Sequence, residues 1–197
     1  MTKIFVESKH DNTTETVFLK TLLQTIGIEE TRYEIMHVNG KDNLKKSENL
    51  FVDNTLSGGR NVIIFDADTP ETQAGFEVTR NKILHTFPLD VKIDGLFLFP
   101  NNQDDGIFEN LLEELMQKEN HQLFIDCFSD YEHCLGDRYV SPDLKGKLHT
   151  YMSAQKTLSK TQRKKLGSGQ WLFEDSRYWN LDSDYLSPLK TFLLEKI

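Results

Sequence analysis

The sequence predicts an α/β protein, with a mainly parallel sheet of about four strands, helices on both of its faces, and a mostly helical C-terminal extension. Three observations predict it. Strand-like apolar runs alternate with helical periodicity four times before residue 118. One of those runs, Val62-Ile63-Ile64-Phe65, is apolar without interruption, as in a strand covered on both faces. After about residue 120 only helical spacing continues. The division expected is a core over 1–118 and an extension over 119–197 packed on it as one compact unit.

The first strand is Lys3–Glu7, apolar and β-branched until it breaks into Ser8-Lys9-His10-Asp11-Asn12. Thr13 or Thr14 can cap a helix carrying Val17, Phe18, Leu19, Leu22, Leu23 and Ile26 on one face, ended by Gly27. Tyr33–Val38 is the second strand, closed by Asn39-Gly40. A polar helix with Leu44, Leu50, Phe51 and Leu56 runs to Gly58-Gly59. Asn61–Phe65 is the third strand and ends in Asp66-Ala67-Asp68. Phe76–Phe87 reads as helix and Val91–Phe99 as the fourth strand. From Gly106 a helix carries Ile107, Leu111, Leu112, Leu115 and Met116, with Asp104-Asp105 as its turn and cap. Helices are expected over His121–Leu135, Leu144–Leu158 and Leu186–Leu194, and a short strand at Gln170–Phe173.

The chain of 197 residues is 38% hydrophobic and 27% charged, a globular composition that can bury an ordinary core. No apolar run approaches the ~20 residues of a membrane span, and the N-terminus reads as a strand rather than a signal peptide. The expectation is a cytoplasmic protein without membrane association. Cys127 and Cys134 have no metal-ligand spacing around them and read as buried free thiols. A net charge of -8 argues against a broad non-specific nucleic-acid surface. Lys156, Lys160, Arg163, Lys164 and Lys165 form the densest basic stretch, either a solvated face or an arm that contacts phosphate or a partner.

In an open α/β sheet, ligands bind outside the carboxyl ends of the strands. Two strands here end in acid, the first at Glu7 and the third at Asp66 and Asp68. Carboxylates in one crevice repel each other unless a cation or protons offset them. Mg²⁺, or Mn²⁺, suits an all-oxygen set completed by substrate phosphates. Asp-x-Asp fits because alternate residues of an extended chain point the same way. Alone it is a weak signal among 31 acidic residues; it gains from following a fully apolar strand.

Ile4-Phe5-Val6-Glu7-Ser8-Lys9-His10-Asp11, then Phe18-Leu19 on a helix, resembles the opening of the TOPRIM domain of topoisomerases, primases and certain nucleases. Ile63-Ile64-Phe65-Asp66-Ala67-Asp68 resembles its Asp-x-Asp strand. The likeness covers about residues 1–115 and implies a Rossmann-like parallel sheet. In finer detail the chain resembles an uncharacterised family of small stand-alone TOPRIM-like proteins. That rests on Asn39-Gly40-Lys41-Asp42-Asn43-Leu44, Phe99-Pro100-Asn101-Asn102, Gly106-Ile107-Phe108-Glu109, Trp179-Asn180-Leu181-Asp182-Ser183 and Leu189-Lys190-Thr191-Phe192-Leu193. Ser8 stands where the TOPRIM pattern usually has glycine. The resemblance implies that Asp66 and Asp68 bind Mg²⁺ and that Glu7 is a general acid/base or a further ligand. The implied activity is making or breaking phosphodiester bonds in nucleic acid, as a nuclease or nucleotidyl transferase. Ser8, Lys9, Asp11 and Lys41 would face the substrate, nucleic acid or a nucleotide.

Glu109, at a helix start, either interacts with the helix N-terminus or joins the acidic site. Lys41 is a surface lysine or a phosphate contact. His10 is the one histidine near the crevice. Trp171, Phe173, Tyr178 and Trp179 read as aromatic packing rather than a base-stacking platform. Two rival functions remain. Asp66-Ala67-Asp68-Thr69 suggests a haloacid-dehalogenase-type phosphatase, although Pro70 replaces the threonine that class requires. Ser8 and the acidic surface suggest a non-catalytic TOPRIM-like effector acting with a partner ATPase. Oligomeric state is left open, a homo-oligomer included.

Overall fold

The computed structural model describes residues 1–197. Four parallel strands, β1 (Thr2–Val6), β2 (Tyr33–His37), β3 (Arg60–Asp66) and β4 (Gly95–Phe99), lie in the order β2-β1-β3-β4. Helix α1 (Thr14–Thr25) crosses from β1 to β2, α2 (Glu48–Leu56) from β2 to β3, and α3 (Phe76–Leu84) from β3 to β4. Helix α4 (Phe108–Leu115) follows the sheet, and the extension holds α5 (Gln122–Leu135), α6 (Leu144–Ser153), α7 (Lys160–Leu166) and α8 (Ser187–Lys196).

Strand alternation sorts the core into two layers. Ile4, Val6, Val62, Ile64, Phe97 and Phe99 face α1 and α4 in a cluster of 30 buried residues. Leu148, Tyr151 and Met152 of α6 and Leu189 and Leu193 of α8 belong to that same cluster, so the extension and the sheet share one core. Phe5, Ile63, Phe65 and Leu98 face α2 and α3 in a cluster of 11, where Phe5 stacks on Phe51 at 3.9 Å between ring centroids.

The tail aromatics pack inward. Trp171, Phe173, Tyr178 and Trp179 are each no more than 2% exposed, which removes them as a base-stacking platform. Their polar edges are satisfied locally: the Trp171 indole N–H donates to Leu166 O at 2.9 Å and that of Trp179 to Trp171 O at 2.8 Å.

Several local expectations need correction. Gln170–Phe173 is not a strand, because Leu172 adopts φ +55° and the indoles hold the chain in a turn. Strand β4 begins at Gly95 rather than Val91: the Asp94 carboxylate takes the Asn61 N–H at 2.8 Å, outside any ladder. The segment before α2 is a 3-10 turn over Lys41–Ser47, and of its apolar residues and those of α2 only Leu44 and Phe51 are buried. Helix α3 stops at Leu84. Helix α6 stops at Ser153, where Arg163 donates to the carbonyls of Ser153 and Gln155. The basic stretch then forms α7, with Ser159 as N-cap accepting from Gln162 N at 3.2 Å. Asp105 caps α3 instead of α4, accepting from Phe76 N at 2.6 Å.

The cysteines are exposed, not buried. Phe124 and Phe128, four apart, turn the apolar face of α5 inward, and the exposed Cys127 and Cys134 lie at its flank, Cys127 beside both phenylalanines in a shallow groove. Both thiols therefore react with Ellman's reagent in the folded protein, at the same stoichiometry as after denaturation; one or no reactive thiol would contradict this placement. No helix is long and apolar enough to cross a membrane.

Candidate functional site

The β1→β2 and β3→β4 connections leave in opposite directions from the two central strands, so the crevice between β1 and β3 is the topological switch point of the sheet. Glu7 and Asp66 stand at its two lips. Register brings them together: Val6 pairs with Ile64, and the Glu7 Oε1 atom accepts the Asp66 backbone N–H at 3.0 Å. Asp66 is on the α1/α4 side, where its Oδ1 accepts the Phe108 N–H at 2.7 Å from the first turn of α4. Gly106 allows that approach. Its φ is +141°, its N–H bonds Asp68 O at 2.8 Å, and a Cβ there would meet the Asn110 amide oxygen at 2.8 Å.

A cleft of about 350 Å³ opens at this point, lined by Glu7, Ser8, Lys9, Glu15, Asp66, Glu109 and Lys145 among others. Four carboxylates thus share it. Glu15, in the first turn of α1, is half-buried, and its buried Oε1 has no hydrogen-bond partner. Glu109, in the first turn of α4, has a side chain 13% exposed and lies 3.7 Å from the Lys145 ammonium. Two helix N-termini therefore point at the cleft and supply part of the missing positive charge.

Burial and crowding raise the proton affinity of three of these carboxylates, Asp66, Glu15 and Glu7. Burial, with Glu7 and Glu109 nearby, pushes the Asp66 carboxyl up to about 8 despite the Phe108 N–H. Glu15 lies well above the usual carboxylate range through burial first, then Asp66, Glu7 and Glu109. Glu7 is raised by burial, against the lowering influence of Lys41 and the Asp66 N–H.

The other residues singled out from the sequence lie around this cleft in three ways. Asp68 does not line it. Its φ of +60° ends the extended backbone on which the alternation of Asp-x-Asp depended, and its carboxylate bonds the Lys41 ammonium, which is also 3.5 Å from Glu7 Oε1. Lys41 therefore serves as a fixed cation between Asp68 and Glu7. Asp11 also lies outside, bonded to Lys20 at 2.7 Å and 3.5 Å from His37 Nε2. Ser8 ties the loop down: its hydroxyl bonds Thr16 Oγ1 at 2.9 Å and His37 Nδ1 at 2.8 Å. Lys9 lines the cleft as expected from its place after β1. His10 lies in the adjoining trough.

Glu15 and Lys145 were not singled out from the sequence. A glutamate after a threonine cap is an ordinary helix start, and only the absence of a partner for Glu15 marks it.

No three His, Cys, Asp or Glu side chains converge as a finished metal cage. The donor chemistry nonetheless suits a hard divalent cation. All four groups are carboxylates, one buried oxygen is orphaned, and Mg²⁺ characteristically takes one or two carboxylates plus water and phosphate oxygens.

An open parallel α/β sheet with an acidic cleft at its switch point defines the class of this protein. The chain belongs to the family described as a protein of unknown function, DUF3226, whose model matches residues 1–196. No curated protein and no solved structure matches it.

Proposed function

We propose that the protein carries out Mg²⁺- or Mn²⁺-dependent phosphodiester chemistry on nucleic acid, of nuclease or nucleotidyl-transfer type, at a TOPRIM-like acidic cleft. The observation that carries this reading is the meeting of Glu7, Glu15, Asp66 and Glu109 in one cleft, with Glu15 Oε1 unpartnered. Asp66, Glu15 and Glu109 would hold the cation, and Glu7 would join them or move a proton. A bound divalent cation would offset the carboxylate charge and polarise a phosphoryl oxygen. Glu7, with its raised proton affinity and its anchor on the Asp66 N–H, is suited to general acid/base work. Lys41 restrains Glu7 and neutralises Asp68. Lys9 and Lys145, which line the cleft, would meet the phosphate.

Lys41 also favours a second reading, a non-catalytic effector acting with a partner ATPase, since a built-in ammonium already offsets part of the acidic charge. The phosphatase reading rests on Asp66 and Asp68 acting together; Asp68 facing Lys41 gives it no support.

Calorimetric titration of Mg²⁺ and Mn²⁺ into wild type and Asp66→Asn/Glu15→Gln separates these readings. The expected result is binding by wild type with release of protons, seen as a heat that depends on the buffer's ionisation enthalpy, and no binding by the variant. Divalent-dependent cleavage of single- or double-stranded substrates should accompany it. Failure of the wild type to bind millimolar metal, even with an oligonucleotide present, sinks the catalytic reading and leaves the effector.

A further inference from the structure

Beside the acidic cleft runs a trough of about 450 Å³ that shares Thr13, Thr14 and Lys145 with it. One wall is the loop after β1, with His10 and Asn12. The other belongs to the C-terminal extension, with His149 of α6 and Leu166 and Gly167 at the end of α7. Cleft and trough adjoin, and Lys145 lines both.

Charge is strongly segregated on this side. Residues 144–173 carry Lys145, Lys147, Lys156, Lys160, Arg163, Lys164 and Lys165 and no acidic residue. Removing those seven from a net charge of -8 leaves -15 for the rest of the chain. Lys147 pairs with Glu113, and Arg163 is spent on the carbonyls that end α6. Lys156, Lys160, Lys164 and Lys165 are exposed and form no ion pair. Lys164 and Lys165 lie in the last turn of α7, next to the part that lines the trough. Unpaired ammonium groups held together cost self-repulsion, which a polyanion relieves.

We propose that this trough, continued by the lysines of α7, binds the phosphodiester backbone of a single nucleic-acid strand and leads it to the acidic cleft. The inference rests on the preceding reading for the chemistry at the cleft and adds where the strand lies. Imidazole, hydroxyl and ammonium donors along the trough suit phosphate oxygens. A volume of about 450 Å³ suits a single strand or a strand end better than a duplex. A positively charged groove tracking one backbone is the usual solution for single strands. The extension is then part of the binding site rather than a cover for the sheet.

The test is fluorescence anisotropy with a labelled single-stranded DNA 12-mer in EDTA, where binding is read apart from turnover. Lys145→Ala/His149→Ala and Lys164→Ala/Lys165→Ala, all at exposed positions, are expected to weaken binding about tenfold, with the salt slope lowered by roughly 0.7 per lysine removed. Lys82→Ala/Lys92→Ala, away from the trough, should leave it unchanged. Equal binding by the trough variants, equal affinity for a duplex, or no binding by wild type would each overturn the inference. Metal-dependent hydrolysis of a dinucleotide substrate would in that event still stand for the proposed function, so the two can fail separately.

Discussion

Replacing Asp66 by asparagine raises the unfolding temperature of the metal-free protein at pH 8 and leaves it unchanged near pH 4. The Asp66 carboxyl, raised to about 8 in the folded protein, has an ordinary value near 3.8 when the chain unfolds. Between those values the folded state binds more protons than the unfolded one, so stability falls as pH rises. The contribution is fully present below about pH 4 and lost as pH passes 8. Glu7 and Glu15, also raised, add to the same downward slope. The asparagine keeps the Phe108 N–H acceptor and never ionises. One pKa unit corresponds to about 1.4 kcal/mol, but Asp66, Glu7 and Glu15 titrate as a coupled set, so the expected gain at pH 8 is about 2 kcal/mol. For a domain of this size that is roughly 4–8 °C. Millimolar Mg²⁺ should reverse the order, stabilising wild type and not the variant. A gain independent of pH would show that charge crowding is not what Asp66 contributes.

The sequence made Glu7 and Asp66 legible because each ends an apolar strand, and strand ends at a switch point are where parallel sheets bind ligands. Asp68 was harder to place. Alternation assumes an extended backbone, and one residue at φ +60° is enough to send its carboxylate to Lys41. Glu15 was hidden by a local pattern with a sufficient local explanation, a glutamate in the first turn of a capped helix. Its missing partner is a property of three dimensions. The cysteines show the same limit in reverse: a residue type that is usually buried sits outside because Phe124 and Phe128 already occupy the inward face of α5. The four-strand parallel sheet was readable throughout, since each strand and crossover carries its own period. The trough was not, because its walls come from opposite ends of the chain.

That joining of distant segments has a single tight point, at Gly169. Its φ is +74°, and a Cβ there would lie 2.5 Å from Thr14 N and 2.6 Å from the carbonyl carbon of Thr13. Both neighbours are backbone, at the N-cap of α1, so neither can swing aside. Gly169→Ala thus combines left-handed backbone strain with overpacking and is expected to destabilise by about 2–4 kcal/mol. Relief requires moving either the extension or the loop that bears Thr13 and Thr14. Since those threonines border both cleft and trough and Glu15 follows them directly, the displacement should also weaken metal and strand binding in whatever protein remains folded. Gly167→Ala is the control, because its Cβ would meet nothing closer than 4.0 Å. Thermal unfolding of both variants, followed by Mn²⁺ and oligonucleotide titration below their transitions, measures the coupling. If Gly169→Ala lost stability but bound both ligands as wild type does, the extension would brace the fold without shaping the site. Joint loss would show that residues after 119 set the geometry of carboxylates that follow β1.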